Sequence, residues 1–199
     1  MMGELFTVGS SNQNIDDFIK LLQLHEVNFL VDVRSVPHSR FAPQFNEQNL
    51  KNELKKKSIQ YSSFKTEFGA RRLEMAAYID GRVSFDAVKE LDVFKSGVNR
   101  IAVGIKKGYR IALMCTEKNP IECHRFVLVS RNIELAVRIR ANHILIDGSL
   151  KSTEELEDLM LDKYGLKFDL FHSDRSALVK LAYKKAGETI AYEEQNDHS

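Results

Sequence analysis

Cys115, Glu117, Cys123, His124 and Arg125 crowd into one short stretch, and few side chains offer more chemistry. The stretch reads Cys-Thr-Glu-Lys-Asn-Pro-Ile-Glu-Cys-His-Arg and holds both cysteines of the protein. It follows an apolar run, Tyr109 to Met114, and precedes a helical pattern that begins near Arg125. That order implies a strand, a turn and a helix N-terminus. Backbone N–H groups and the positive end of a helix dipole gather at such a turn. They suit an anion and favour thiolate over thiol.

Each side chain has a chemical reading and a plain one. Cys115, at the strand end, would be a nucleophile or redox centre; otherwise it is a small buried hydrophobe. Cys123 would resolve an oxidised Cys115 or pack the helix start. His124 has an ordinary pKa near neutrality, so it suits proton transfer, or a structural hydrogen bond. Arg125 opposes the helix dipole in the first turn, and an anion would neutralise it. Cys115, Cys123 and His124 would also form part of a metal site, with Glu117, Asp32 or His38 as the fourth donor. Their spacing is no zinc signature, so no metal and no other cofactor is assigned. The expected catalytic residues are Cys115, Cys123 and His124. Arg125, Arg34, Arg71, Glu117, Asp32, Ser10 and Arg40 are the expected substrate-binding residues.

Short apolar runs at Leu5–Val8, Phe29–Val33, Ile59–Phe64, Tyr109–Met114 and Asn142–Ile146 alternate with helical patterns. Asn14, Asn46 and Ser84 are the expected helix caps, the last for a helix to about Lys95. Val98, Ile101, Ala102 and Ile105 mark a further helix, with Gly108 at its left-handed C-cap. The strands read as continuous apolar runs. This predicts an α/β fold in three layers: a mainly parallel sheet flanked by helices on both faces. Ligands in such sheets sit beyond the carboxyl ends of the strands. Gly9-Ser10, Arg34, the 65–72 loop, Cys115 and Asp147 all fall there. After residue 150 the character changes. Ser152 and Glu155 form a capping-box pair for a helix to about Lys163, and a second helix covers about 176–186. The expected organisation is therefore an α/β core over 1–150 and a helical C-terminal appendage over 151–199 with a polar tail. The appendage would make a homodimer contact or cover the site.

At 199 residues the chain can bury roughly 70% of its unfolded surface in one core. A net charge of +1 advertises neither nucleic acid nor membrane, though a local basic patch would still serve one. No apolar run approaches the length of a bilayer crossing, and no secretory leader is expected. Two cysteines make no disulfide framework, so a reducing cytoplasm is the expected setting.

Several further stretches appear in order. They are Thr7-Val8-Gly9-Ser10-Ser11-Asn12, Val31-Asp32-Val33-Arg34-Ser35 with Pro37 and Ser39, and Gln44-Phe45-Asn46. Phe68-Gly69-Ala70-Arg71-Arg72, the Cys115-to-Arg125 segment, and His143-Ile144 with Asp147-Gly148 complete the set. Together, over roughly residues 5–150, they resemble the family catalogued as domain of unknown function 488. Ser11 or its neighbour stands where members usually have histidine, and Ala70 where they have a second glycine. The resemblance implies an α/β fold and a shared Cys/His/Arg site. It supplies no reaction, although labels on some members suggest DNA repair, one form of nucleic-acid processing. The layout is also similar to rhodanese-like sulfurtransferases and related phosphatases, but the loop after Cys115 is longer.

The leading expectation is an enzyme acting on a phosphate-bearing or otherwise anionic substrate, a nucleotide or nucleic acid among them. The alternatives are an anion- or nucleic-acid-binding module without chemistry, and the metal site or sulfur-transfer centre.

Overall fold

The computed structural model describes residues 3–167 and 174–193. The polar tail beyond Glu193, with His172 and His198, lies outside the described residues. The strands are β1 (Glu4–Gly9), β2 (Phe29–Asp32), β3 (Gln60–Ser63), β4 (Tyr78–Ile79), β5 (Arg82–Val83), β6 (Arg110–Cys115), β7 (Ala141–Ile144) and β8 (Leu150–Ser152). The helices are α1 (Ile15–Leu24), α2 (Glu47–Lys56), α3 (Lys65–Phe68), α4 (Phe85–Val88), α5 (Asp92–Lys106), α6 (Arg131–Val137), α7 (Thr153–Lys163) and α8 (Arg175–Ile190). A π-helical segment, Arg125–Ser130, runs directly into α6.

The six-stranded sheet has the order β3-β2-β6-β1-β7-β8. Every neighbouring pair is parallel except β7 with β8. Alternate residues of each strand face opposite sides. Phe6, Val8, Leu30, Ala112 and Met114 join Phe18 and Leu22 of α1 and Leu50 and Leu54 of α2 in one core. Leu5, Val31, Ile111 and Leu113 join Ile101 and Ile105 of α5 and Ile133 of α6 in the other. Both faces are covered, which explains why β1, β2 and β6 carry no regular polar alternation, whereas the edge strand β3 is polar and only partly buried. A third cluster seats α7 and α8 on Phe126 and Val127 of the π-helical segment.

The caps are informative where they differ. Asn14 accepts from the Asp16 N–H, and Ser152 with Glu155 closes a capping box, as expected. Gly108 takes φ +87° after α5. Asn46 precedes α2 but its Oδ1 accepts from the Ser39 N–H at 2.6 Å, so it ties down the 34–46 loop instead of the helix end. Ser84 caps only one turn, α4. The break comes at Leu91, whose backbone is extended, and a single helix then runs through both segments expected to be separate. Gly97 lies inside that helix because a Cβ there would sit 2.8 Å from the Phe68 ring. The antiparallel edge β8 and the β4–β5 hairpin are built of strands only two or three residues long, and neither was expected.

His143 of β7 is wholly buried between layers. Its Nδ1 lies 2.9 Å from Thr7 Oγ1 on β1, and its Nε2 lies 3.1 Å from Thr153 Oγ1 on α7. Thr153 in turn donates to Glu134 on α6 at 2.7 Å. Burial, and secondarily the charge of Arg125, push the His143 pKa down to about 3. Between that value and its ordinary 6.5, the unfolded chain binds a proton here that the folded chain does not. Stability must therefore fall as pH drops through this window, approaching a loss on the order of 4 kcal/mol at its lower end. Urea titrations at pH 7 and in mild acid should show a smaller acid loss in His143→Gln than in wild type. Equal losses would remove His143 from the account.

Candidate functional site

The site grows from the end of β6. Cys115 closes that strand, and residues 116–119 loop outward before a 3-10 turn, Pro120–Glu122. Asn119 caps the turn by accepting from the Ile121 N–H. The chain then enters the π-helical segment behind His124. Two features hold the loop against the sheet. Arg125 is fully buried and donates from Nη1 to the Glu117 carbonyl at 2.6 Å and from Nη2 to the Lys118 carbonyl at 3.3 Å. Opposite it, Gly9 admits the loop, since a Cβ there would lie 2.2 Å from the Glu117 carbonyl oxygen.

This fold gathers four donor atoms. One ligand atom each from Cys115, Glu117, Cys123 and His124 lies within 4.8 Å of the other three. His124 Nδ1 is 3.8 Å from Cys115 Sγ and 3.9 Å from Cys123 Sγ. Cys123 Sγ donates to Glu117 Oε2 at 2.9 Å. His124 Nε2 is 3.0 Å from the Val33 carbonyl at the end of β2. A proton on Nε2 satisfies that contact and leaves the Nδ1 lone pair facing both sulfurs. Both cysteines and His124 are buried, whereas Glu117 sits on the exposed loop.

The two thiols are not equivalent. Burial, reinforced by Cys123 and then Glu117, pushes the Cys115 thiol well up. Burial also opposes ionisation of Cys123. It is outweighed by the Cys115 hydrogen bond, the Arg125 charge and His124, which hold the Cys123 thiol well below its ordinary value. The Arg125 N–H also points at Cys123 Sγ, at 3.4 Å. Of the two, Cys123 is the thiol whose surroundings favour ionisation, since His124 and the Arg125 N–H both face its sulfur. His124 moves up: burial lowers it, but the Cys123 contact and the Val33 carbonyl prevail. Burial, with the neighbouring Cys123, raises Glu117.

The arginines are arranged differently from the expected clamp. Arg34 makes a two-pronged bond to Asp32, with Nε at 2.9 Å from Oδ1 and Nη2 at 2.6 Å from Oδ2. The same Nη2 donates to the Phe45 carbonyl, and Tyr61 donates to Asp32. Asp32 is thereby engaged, and His38 is not part of the four-donor group, so the nearby fourth donor is Glu117. Arg125 faces carbonyls, not solvent, and its Nε is buried without a partner. Arg71 is exposed and lies over the Tyr192 ring. Arg72 is buried and paired with Glu74. Arg40 is exposed, and among the described residues neither it nor Arg71 bonds to the four donors. Ser10 is buried with its hydroxyl unpartnered. Its N–H and that of Ser11 donate to the Cys115 and Thr116 carbonyls, so they extend the strand pairing and do not form an open anion nest.

Sequence reasoning missed the Val33 carbonyl and the packing role of Gly9. A backbone acceptor leaves no sequence signal, and one glycine becomes meaningful only once a crossing loop is known.

Among the described residues, no helix is long and apolar enough to cross a membrane. No curated protein and no solved structure matches the chain. A family model described as Domain of unknown function DUF488 matches residues 14–132. That span contains the Asp32–Arg34, 68–72 and Cys115–Arg125 motifs and excludes the Gly9–Asn12 and His143–Gly148 motifs. With more than half of its length matched, the chain belongs to the DUF488 family.

Proposed function

We propose that Cys115, Cys123, His124 and Glu117 bind a zinc-type divalent cation, and that this centre is where the chain meets an anionic substrate. One observation carries the reading: four donors of the right kinds converge within 4.8 Å, three of them buried. Donors about 3.3–3.8 Å apart would surround zinc tetrahedrally at bonds of about 2.0–2.3 Å, and the His124–sulfur separations are close to this. Thiolate and imidazole donors favour zinc over magnesium or calcium. The Val33 carbonyl supplies the outer hydrogen bond that orients a metal-binding histidine. Cys115, Cys123 and His124 are the fixed ligands. Glu117, on the exposed loop, is the exchangeable one, at the strand ends where ligands of such sheets bind. When bound, the cation would polarise a phosphate or carboxylate oxygen or acidify a water.

Elemental analysis of protein purified without chelator tests this reading. About one zinc per chain is expected, with Cys123→Ser and His124→Ala losing it and Glu117→Gln retaining part. Native protein that neither carries nor takes up zinc, and whose two thiols react freely, would sink it.

A second reading rests on the lowered Cys123 thiol beside Cys115. It makes the chain a thiol enzyme on an anionic substrate, with Cys123 as the attacking sulfur and Cys115 as its partner. Fast alkylation of Cys123 below about pH 8.5 in protein shown to be metal-free would favour it.

A further inference from the structure

Away from the four donors, a cleft of about 710 Å³ opens between α8, the β5–α4 corner and the junction of the π-helical segment with α6. Five cations line it: Arg82, Lys89, Arg131, Lys180 and Lys184. Asp86 and Glu188 are the lining carboxylates. Arg82 is held by Glu193 and Lys89 by Asp86. Arg131, Lys180 and Lys184 have no carboxylate within ion-pair distance among the described residues.

Arg131 is the informative one. It is half-buried, and its guanidinium lies 3.6 Å from the centroid of the Tyr183 ring. Burial pushes its pKa down, and Tyr183 and the carboxylates of Glu157, Asp86 and Glu134, none of them within ion-pair distance, offset this only in part. Lys180 and Lys184 stand one helical turn apart on α8, where like charges repel unless an anion lies between them. The cleft also has apolar and aromatic surface. Phe85 and Tyr183 line it, and Ile79 and Leu135 reach it while 60% and 69% exposed.

We propose that this cleft binds a phosphate-bearing molecule with a flat ring, of the nucleotide class. Arg131, Lys180 and Lys184 would take the phosphates, and Phe85 with the exposed aliphatic rim would take the ring. Its volume lies within the range of about 300–1,000 Å³ typical of small-molecule sites. Enclosure by three packed elements favours a single nucleotide over a polymer, which needs a continuous basic track. The chain's net charge of +1 offers no such general field. The proposal is independent of the metal centre, since none of the four donors lines the cleft.

Calorimetric titration of the full chain with AMP, ADP and ATP tests it, with pyrophosphate and a single-stranded oligonucleotide as comparison probes. A nucleotide should bind with a dissociation constant on the order of micromolar. Arg131→Met should weaken it at least about tenfold, and so should the exposed pair Lys180→Glu with Lys184→Glu, whose circular dichroism should match wild type. Three results would each overturn the proposal: no nucleotide binding at millimolar concentration, equal binding by the charge-reversed protein, or pyrophosphate binding as tightly as ADP. Tight binding of the oligonucleotide alone would replace it with a nucleic-acid surface.

Discussion

Asp32→Ala lowers the folding free energy by about 3–5 kcal/mol, because it strands a buried guanidinium. Arg34 is 7% exposed and Asp32 is wholly buried. The carboxylate accepts two bonds from the Arg34 side chain, one from the Arg34 N–H and one from the Tyr61 hydroxyl. Removing it leaves Arg34 with only the Phe45 carbonyl among these partners. Small domains have folding free energies of about 5–15 kcal/mol, so the loss is a large fraction of the total. The pair need not stabilise the fold relative to apolar residues of similar size. Asp32→Leu combined with Arg34→Met should recover much of the deficit, since both desolvated charges leave together. Urea denaturation of the three variants decides. A single-mutant loss near 1 kcal/mol would mean that water screens the pair as it does on a surface.

Arg125→Met costs about 2–4 kcal/mol, and the damage should be local to the site. Met fills much of the volume but leaves the Glu117 and Lys118 carbonyls without their donor. The loop that carries Glu117 then loses its tether. Hydrogen exchange should rise at residues 116–119 ahead of the β-sheet, and zinc should bind more weakly. Arg125→Lys should rescue little, because one ammonium cannot reproduce the planar fork that reaches both carbonyls. Unchanged exchange in the loop would show that Gly9 and the 3-10 turn hold it without Arg125.

Much of the fold was legible in local pattern. The five parallel strands, the Asn14 cap, the Gly108 C-cap and the Ser152–Glu155 box depend on periodicity and on residues a few positions apart. The break at Leu91 was not legible. Gly97 is the more obvious interruption by sequence, yet its missing side chain serves contact with Phe68 from another element. The strands β5 and β8 were equally hidden, since two or three residues are too few to carry an alternation.

The site divides along the same line. Order along the chain was enough to bring Cys115, Glu117, Cys123 and His124 to one strand end, because a strand, a turn and a helix start can meet only there. Which nitrogen of His124 faces the sulfurs, and which arginines are engaged, depended on partners distant in sequence. Val33 orients His124, Asp32 and Phe45 hold Arg34, and Gly9 lets the loop lie close enough for Arg125 to seize it. Charges and hydrogen bonds act over a few ångströms in space whatever their separation along the chain. Residue types and spacing therefore determined where chemistry could gather, and only the tertiary structure decided which atoms remain free to perform it.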